Sequence, residues 1–252
     1  MLTTSGLRRH DPPRTRAIGP YTRPVTHPVS PGRGRFITIE GPEGAGKTTQ
    51  ASRLEATLRA SGIAVRGTRE PGGTVLGERI RELLLAASDA PIDALADALL
   101  FNAARRQLVE EVIEPSLAAG ITIVCARFAD STRAYQGYGG GLGLAELATL
   151  EGIATGGLEP DLTILLDLPV EVGLARKGPD ETTRFEAEQD VAFHRRVRTG
   201  FLALAADEPD RFAVVDATIT VDEVADEVWS IVAEMLARTS SEPKSPVSRI
   251  TS

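Results

Sequence analysis

The chain has 252 residues, 42% of them hydrophobic and 25% charged, which is an ordinary balance for one or two globular domains. It contains no run of 18 consecutive apolar residues, so we expect no membrane span, and its single cysteine excludes an internal disulfide. The net charge of the whole chain is −7, but both terminal segments are basic, so residues 35–238 carry −13. This acidic central region argues against a nucleic-acid-binding surface.

Two terminal segments lack the apolar pattern of a folded core. Residues 1–34 contain six prolines and six arginines, and residues 239–252 form a polar tail with two prolines. We predict that both segments are disordered. The arginine-rich first segment resembles a transit peptide in composition, but a dispensable extension or a start codon placed too far upstream is the simpler interpretation. The sequence has no secretory signal, which favours a cytoplasmic protein.

Between the tails, short apolar segments alternate with amphipathic ones. The predicted strands are 36–40, 63–68, 121–126, 162–168 and 211–216. The predicted helices are 46–60, 75–87, 95–118, 144–155, 186–206 and 221–238. Five strands separated by helices predict an α/β fold: a five-stranded parallel sheet with right-handed crossovers and helices on both faces.

The segment GPEGAGKT at 41–48 follows the first strand and opens the first helix. It matches the phosphate-loop pattern G-x-x-x-x-G-K-[ST] at every fixed position. The glycines let the backbone turn tightly and point its N–H groups at phosphate oxygens, while Lys47 reaches the β- and γ-phosphates and the Thr48 hydroxyl can bind Mg²⁺. We predict a triphosphate site made of Gly41, Pro42, Glu43, Gly44, Ala45, Gly46, Lys47 and Thr48.

The phosphate loop by itself leaves the reaction open, because GTPases, motor ATPases and small-molecule kinases share it. The sequence has no N-K-x-D motif for reading guanine, and the chain is short for a large ATPase. A kinase of this size needs a second anion site that faces the loop, together with a lid.

Five further features occur in the order and spacing of a known family. They are RFITIEGPEGAGKTTQ, TREPGGT at 68–74, LLFNAARRQLV at 99–109, RFADSTRAYQG at 127–137 and PDLTILLDLP at 160–169. Together they resemble the bacterial thymidylate kinases over residues 35–237. The resemblance implies a P-loop nucleoside monophosphate kinase fold, ATP as donor, dTMP as acceptor, Mg²⁺ as cofactor and a homodimer.

The resemblance also implies roles for residues on the acceptor side. Glu43 would face the 3′-hydroxyl of the deoxyribose, and Phe101 would stack on thymine. Arg105 would hold the monophosphate, Arg127 would grip it near the transferred group, and Tyr135 would pack against the sugar and disfavour a 2′-hydroxyl. The remaining implied dTMP contacts are Arg69, Ser131, Thr132 and Gln136.

A charged, glycine- and proline-containing segment at 176–186 is the predicted lid. Some members of the family place a catalytic arginine in the phosphate loop after the acidic residue, but this chain has Gly44 there. We therefore expect the lid to supply that charge through Arg184 or, second, Arg176, alongside Lys47 and Arg127. For Mg²⁺ the expected ligand is Thr48, with weaker candidates in Glu43 and Glu186.

One position departs from the family pattern. The third strand usually ends in Asp-Arg, and this chain has Ala126-Arg127. Another acid could compensate, such as Glu43, Asp130 or Glu186, or the enzyme could be slow. The alternative function is a weakened, nucleotide-binding paralogue. We expect an active kinase in which Ala126→Asp would lower the magnesium requirement and speed turnover.

Overall fold

A computed structural model of the chain describes residues 32–85, 92–176 and 190–240. The strands are β1 Phe36–Glu40, β2 Val65–Arg69, β3 Thr122–Ala126, β4 Leu162–Asp167 and β5 Phe212–Asp216. The α-helices are α1 Lys47–Ala60, α2 Val75–Leu85, α3 Ala94–Leu108, α4 Glu114–Ala118, α5 Ala129–Thr132, α6 Leu144–Thr155, α7 Val170–Ala175, α8 Val191–Asp207 and α9 Val221–Ser240. Predictions for residues 1–31 and 241–252, and for the lid beyond residue 176, lie outside the described residues.

The strands form one parallel sheet in the order β2-β3-β1-β4-β5, which confirms the predicted fold class. The central strand β1 pairs with β3 on one side and β4 on the other. The chain leaves β1 toward β2 but leaves the neighbouring β3 toward β4, so the connections of these two adjacent strands run in opposite directions across the sheet. In open parallel sheets a ligand crevice lies outside the carboxyl ends of the strands at such a point. The phosphate loop begins at that end of β1.

Helices cover both faces of the sheet, which explains why β1 and β4 are apolar almost throughout. On one face Ile37 and Ile164 pack against Leu54 and Leu58 of α1 and against α9. On the other face Phe36 packs with the long helix that follows α2 and with Phe128. Each such buried side chain contributes roughly 1.5–3 kcal/mol of transfer free energy, so the sheet is a rigid base for the loops at its edge.

The predicted helix 95–118 is continuous from Ala94 to Ala118 but contains a π-helical segment, Val109–Ile113. Pro115 follows directly, in the first turn of α4. Proline has no N–H to donate and its ring clashes with the carbonyl four residues earlier in a regular helix, so a wider turn before it relieves the conflict. Asp93 caps the start of the helix by accepting from the N–H groups of Leu95 and Ala96.

The helical segment that follows β3 was not predicted. α5 continues into a second π-helical segment, Arg133–Gly139, and together they carry four of the predicted site residues. The predicted segment boundaries also shift: β2 begins at Val65, and Arg33 and Gly34 are already bonded to Asp161 and Leu117.

Candidate active site

A cavity of about 420 Å³ lies at the carboxyl edge of the sheet, between the phosphate loop, α3 and the helical segment after β3. It brings together most of the residues singled out in the sequence. Those lining it are Glu43, Gly44, Gly46, Lys47, Thr48, Phe101, Arg105, Arg127, Ser131, Thr132, Tyr135, Gln136 and Arg176. Gly41, Pro42 and Ala45 are buried within the loop that forms one wall.

The phosphate loop has the backbone that its glycines were expected to permit. Gly44 has φ +72° and Gly46 has φ +84°, both in the left-handed region. A Cβ on Gly44 would lie 2.0 Å from the carbonyl oxygen of Gly173 in α7, so that position has no room for any side chain. The Nζ of Lys47 donates to the carbonyls of Gly41 (3.0 Å) and Pro42 (2.6 Å), which holds the ammonium beside the loop.

Arg127 contacts two residues that also line the cavity, Glu43 of the phosphate loop and Tyr135. Nη2 of Arg127 donates to Oε2 of Glu43 at 3.1 Å, and the Tyr135 hydroxyl donates to the same oxygen at 3.4 Å. The guanidinium also lies 5.1 Å from the centroid of the Tyr135 ring. Burial disfavours the charged form of Arg127, but Tyr135 and Glu43 outweigh it and raise its pKa. Arg127 is therefore a fixed cation.

Arg105 is buried in a deeper part of the cavity wall. Its Nε and Nη2 both donate to Oε2 of Glu70, at 3.0 and 2.8 Å. Further donations reach Asn102, the carbonyl of Phe128 and the hydroxyl of Thr132. Burial opposes its charge, but Glu70 raises the pKa of Arg105. Glu70 therefore offsets the charge of Arg105, and most of the N–H groups of Arg105 already have protein acceptors.

Phe101 and Gln136 lie near this pair in the cavity wall. Phe101, four residues before Arg105 on α3, packs against Ile80 and Leu84 of α2. Nε2 of Gln136 donates to the carboxylate of Asp97 at 3.4 Å. An aromatic ring beside oriented amide and hydroxyl groups suits a flat heterocycle with polar edges.

Arg69 and Arg176 differ in whether they reach the cavity. Arg69 does not line the cavity: its guanidinium pairs with Glu78 at 3.0 Å, and its role toward dTMP stays a prediction. Arg176 lines the cavity and donates to the carbonyls of Ala217 (2.8 Å) and Thr218 (3.4 Å), which tie the start of the lid to the loop after β5. Arg184, with Glu186, lies outside the described residues.

Sequence reasoning missed Arg81, which lines the cavity from α2 and donates to the carbonyl of Pro71 at 3.0 Å. Burial and the nearby charges of Arg69 and Arg127 lower the pKa of Arg81. An anion in this part of the cavity would relieve the repulsion between these guanidinium groups. The sequence signal that could have identified Arg81 was its position on α2, the helix that follows the turn REPGGT beside the cavity.

The described ranges contain no cluster of three or more histidine, cysteine or acidic residues suited to holding a metal. Mg²⁺ bound with a nucleotide needs no such cluster, because it takes phosphate oxygens, waters and one or two protein oxygens. Thr48 is exposed to the cavity and fits that requirement. Oε2 of Glu43 is already engaged by Arg127 and Tyr135, so Glu43 fits it less well. No helix in the described ranges is long and apolar enough to cross a membrane.

Comparisons with known proteins identify the family of the chain. The thymidylate kinase family model matches residues 39–228. The thymidylate kinase of Deinococcus radiodurans is 54% identical over 205 residues, covering 80% of this chain and 98% of that protein. The enzyme of Thermomicrobium roseum is 53% identical over 204 residues, covering 81% and 96%. The crystal structure of the thymidylate kinase from Ehrlichia chaffeensis aligns with a TM-score of 0.64 at 35% identity, covering 79% of this chain and 99% of that one. The chain belongs to the thymidylate kinase family.

Proposed function

We propose that the protein transfers the γ-phosphoryl group of ATP to dTMP, giving ADP and dTDP. The observation that carries the proposal is that the phosphate loop and Arg127 line the same cavity of about 420 Å³. Phosphoryl transfer needs little covalent help from the protein, because catalysis consists of placing donor and acceptor in line and stabilising the charge that moves between them.

The donor phosphates would lie in the loop 41–48, with the backbone N–H groups and Lys47 neutralising the β- and γ-phosphates. Arg127 would bind the acceptor phosphate close to the transferred group. Its pairing with Glu43 and the Tyr135 ring holds the guanidinium in one orientation. An oriented cation stabilises the transition state without reorganising during the reaction.

The nucleoside would occupy the deeper part of the cavity. Glu43 and Tyr135 share a hydrogen bond where the sugar hydroxyls would lie, which suits acceptance of a 3′-hydroxyl and rejection of a 2′-hydroxyl. Phe101 would stack on thymine, with Ser131, Thr132 and Gln136 beside the base. Arg105, which lines the cavity, is proposed as a further dTMP contact.

Mg²⁺ would bind with ATP at the phosphate loop, held by the hydroxyl of Thr48 on the protein side. The bound ion would neutralise phosphate charge during transfer. Arg176 and Arg184 of the lid would supply further positive charge once the lid closes over the donor. The absence of room at Gly44 supports the lid as the source, because an arginine at that position would collide with Gly173.

The contacts of Arg127 also bear on Ala126. Glu43 pairs with Arg127 directly, whereas Asp130 pairs with Arg211 at 2.7 Å. Compensation by Glu43 is therefore favoured over compensation by Asp130. Membership of the family favours an active kinase over a weakened paralogue.

We further propose a homodimer in the cytoplasm. Leu95 and Leu99 are about half exposed and lie one turn apart on α3, and Ile153 is similarly exposed on the neighbouring α6. Side chains of this kind on adjacent helices suit a face-to-face contact with a second copy. Sedimentation equilibrium of wild type and Leu99→Glu tests this: a dimer that dissociates in the variant supports it, and a wild-type monomer contradicts it.

The function itself is tested by ADP release from MgATP with dTMP, dUMP, AMP, GMP and CMP as acceptors. We expect the highest kcat/KM with dTMP and little release with the purine nucleotides. Equal or greater activity with AMP, GMP or CMP would contradict dTMP as the acceptor, and no release with any acceptor would favour the weakened paralogue.

A further inference from the structure

Arg127 has a backbone conformation that side-chain-bearing residues rarely adopt. Its φ is +70°, and within the described ranges it is the one residue other than glycine with a positive φ. The backbone around it is held on both sides: its N–H donates to the carbonyl of Ile39 at 3.0 Å, and the Cys125 thiol donates to its carbonyl at 3.0 Å. Such a conformation persists only where its surroundings fix it.

Glu40, the last residue of β1, makes two further contacts with this turn. Its Oε1 accepts from the N–H of Phe128 at 2.6 Å, and its Oε2 accepts from the hydroxyl of Ser131 at 2.6 Å. Glu40 is fully buried, so these bonds are not weakened by competing water. One carboxylate thus joins the strand before the phosphate loop to the turn and helix after β3.

Ser131 connects the same carboxylate to the side chain of Arg127. Nη1 of Arg127 lies 3.4 Å from the Ser131 oxygen, whose proton is directed at Glu40. The hydroxyl is a better acceptor for Arg127 because it donates to a carboxylate. Nη2 is meanwhile held by Glu43. Both nitrogens at the end of the guanidinium are therefore fixed, one directly and one through Ser131.

We infer that Glu40 is a positioning residue for Arg127: its carboxylate fixes the left-handed turn and, through Ser131, the orientation of the guanidinium toward the acceptor phosphate. This inference rests on the proposed function. Ala126 cannot hold Arg127 in place as the usual aspartate of the family would, and Glu40 supplies part of that function. The inference also explains why a glutamate is buried near the cavity without a cation bonded directly to it.

The charge of Glu40 is set by several neighbours. Burial raises the pKa of Glu40 to about 7, and the nearby carboxylate of Asp130 adds to the increase. Ser131, Arg127 and the Phe128 N–H oppose it. Arg105 and Cys125 also lie within electrostatic range. Near neutral pH the carboxylate therefore exchanges between an ionised form that accepts both bonds and a protonated form that has to donate one.

The first test is a double-mutant cycle on the affinity for dTMP, measured by calorimetry at pH 8 with the full chain. Glu40→Gln keeps the shape and an acceptor for Phe128 but loses the charge. We expect it to weaken dTMP binding about tenfold in wild type and less than twofold in an Arg127→Ala background, because residues that act through one another are not additive. Equal losses in both backgrounds would overturn the inference. If Glu40→Gln does not fold, Glu40→Asp in the same two backgrounds gives the decision, because the shorter side chain keeps the charge but withdraws it from Phe128 and Ser131; equal losses in both backgrounds would again overturn the inference.

The second test uses pH. The ratio of dTMP dissociation constants, Glu40→Gln over wild type, cancels the titration of the dTMP phosphate itself, whose second pKa is about 6. We expect the ratio to be about ten at pH 8 and to approach one at pH 6, where wild-type Glu40 is itself neutral. A ratio that does not change with pH contradicts the role of the carboxylate charge.

A matched control separates positioning from structural support. Asp161 also accepts from a backbone N–H, that of Phe36 at 2.7 Å, but at the opposite end of β1. Asp161→Asn is expected to lower Tm and leave dTMP affinity unchanged. If wild type itself shows no dTMP-dependent ADP release, the proposed function fails. If wild type is active and the cycle is additive, the assignment of Glu40 fails alone.

Discussion

Glu40→Gln offers a stability measurement whose sign the structure fixes. The pKa of Glu40 is raised from an ordinary 4.5 to about 7, chiefly by burial. The folded protein therefore favours the protonated carboxyl, and the stability from that preference is complete below pH 4.5 and is lost as the pH rises through 7. Glutamine is neutral throughout, so the variant escapes this loss.

The size of the effect follows from the two pKa values. A difference from 4.5 to about 7 corresponds to roughly 3 kcal/mol in full, of which about 2–3 kcal/mol is lost between pH 5 and pH 8. Glutamine can still accept from Phe128 and bond to Ser131, so little packing is lost. We expect the free energy of unfolding of Glu40→Gln, relative to wild type, to rise by about that amount over this range.

Urea denaturation of both proteins at pH 5 and pH 8 provides the measurement. Glu234→Gln is the control, because Glu234 is a solvent-exposed partner of Arg238 and its replacement is expected to change stability by less than about 0.5 kcal/mol at either pH. An equal stability difference between Glu40→Gln and wild type at both pH values, or a wild type that becomes more stable relative to the variant at pH 8, would show that the buried charge of Glu40 does not set this pH dependence.

Three further predictions concern the phosphate loop and the end of β3. Lys47→Ala should lower kcat at least about 100-fold without lowering Tm, and more than a tenth of wild-type turnover would contradict its assignment. Gly44→Ala should lower Tm by clearly more than Gly46→Ala, because the new methyl group meets Gly173 in the first case and open space in the second; equal losses would show that the loop yields. Ala126→Asp, for which the sequence suggests a gain, should instead slow turnover about tenfold in a magnesium titration, because the buried site already holds two carboxylates near the adjacent arginine; faster turnover at lower magnesium would restore the original expectation.

Much of the fold could be predicted because its signals are local and repeated. Strands buried on both faces are apolar runs, and the helix predicted at 144–155 has the same bounds in the structure. The segment after β3 could not be predicted in this way. Its first part, Ala129–Thr132, is a single turn, and its second is π-helical, so neither shows a 3.6-residue period long enough to detect.

Site residues that belong to a motif could be predicted from the sequence. Those whose position depends on tertiary contacts could be predicted less well. The phosphate loop and Arg127 follow from motif and strand end. Arg69 pairs with Glu78 because α2 returns over the turn at 71–74, and the sequence does not reveal that return. In the sequence Glu40 is only the polar last residue of an apolar strand. Its hydrogen bonds to residues about 90 positions away form only in the folded chain.

If one cavity joins a triphosphate site to a dTMP site, a single molecule that links thymidine to adenosine through five phosphates should occupy both sites at once. Calorimetry should show that wild type binds it far more tightly than dTMP alone, and that Lys47→Ala and Arg127→Ala each weaken its binding at least tenfold, since each removes a charge from a different half of the cavity. Affinity no greater than that of dTMP, or binding that either substitution leaves unchanged, would contradict the claim.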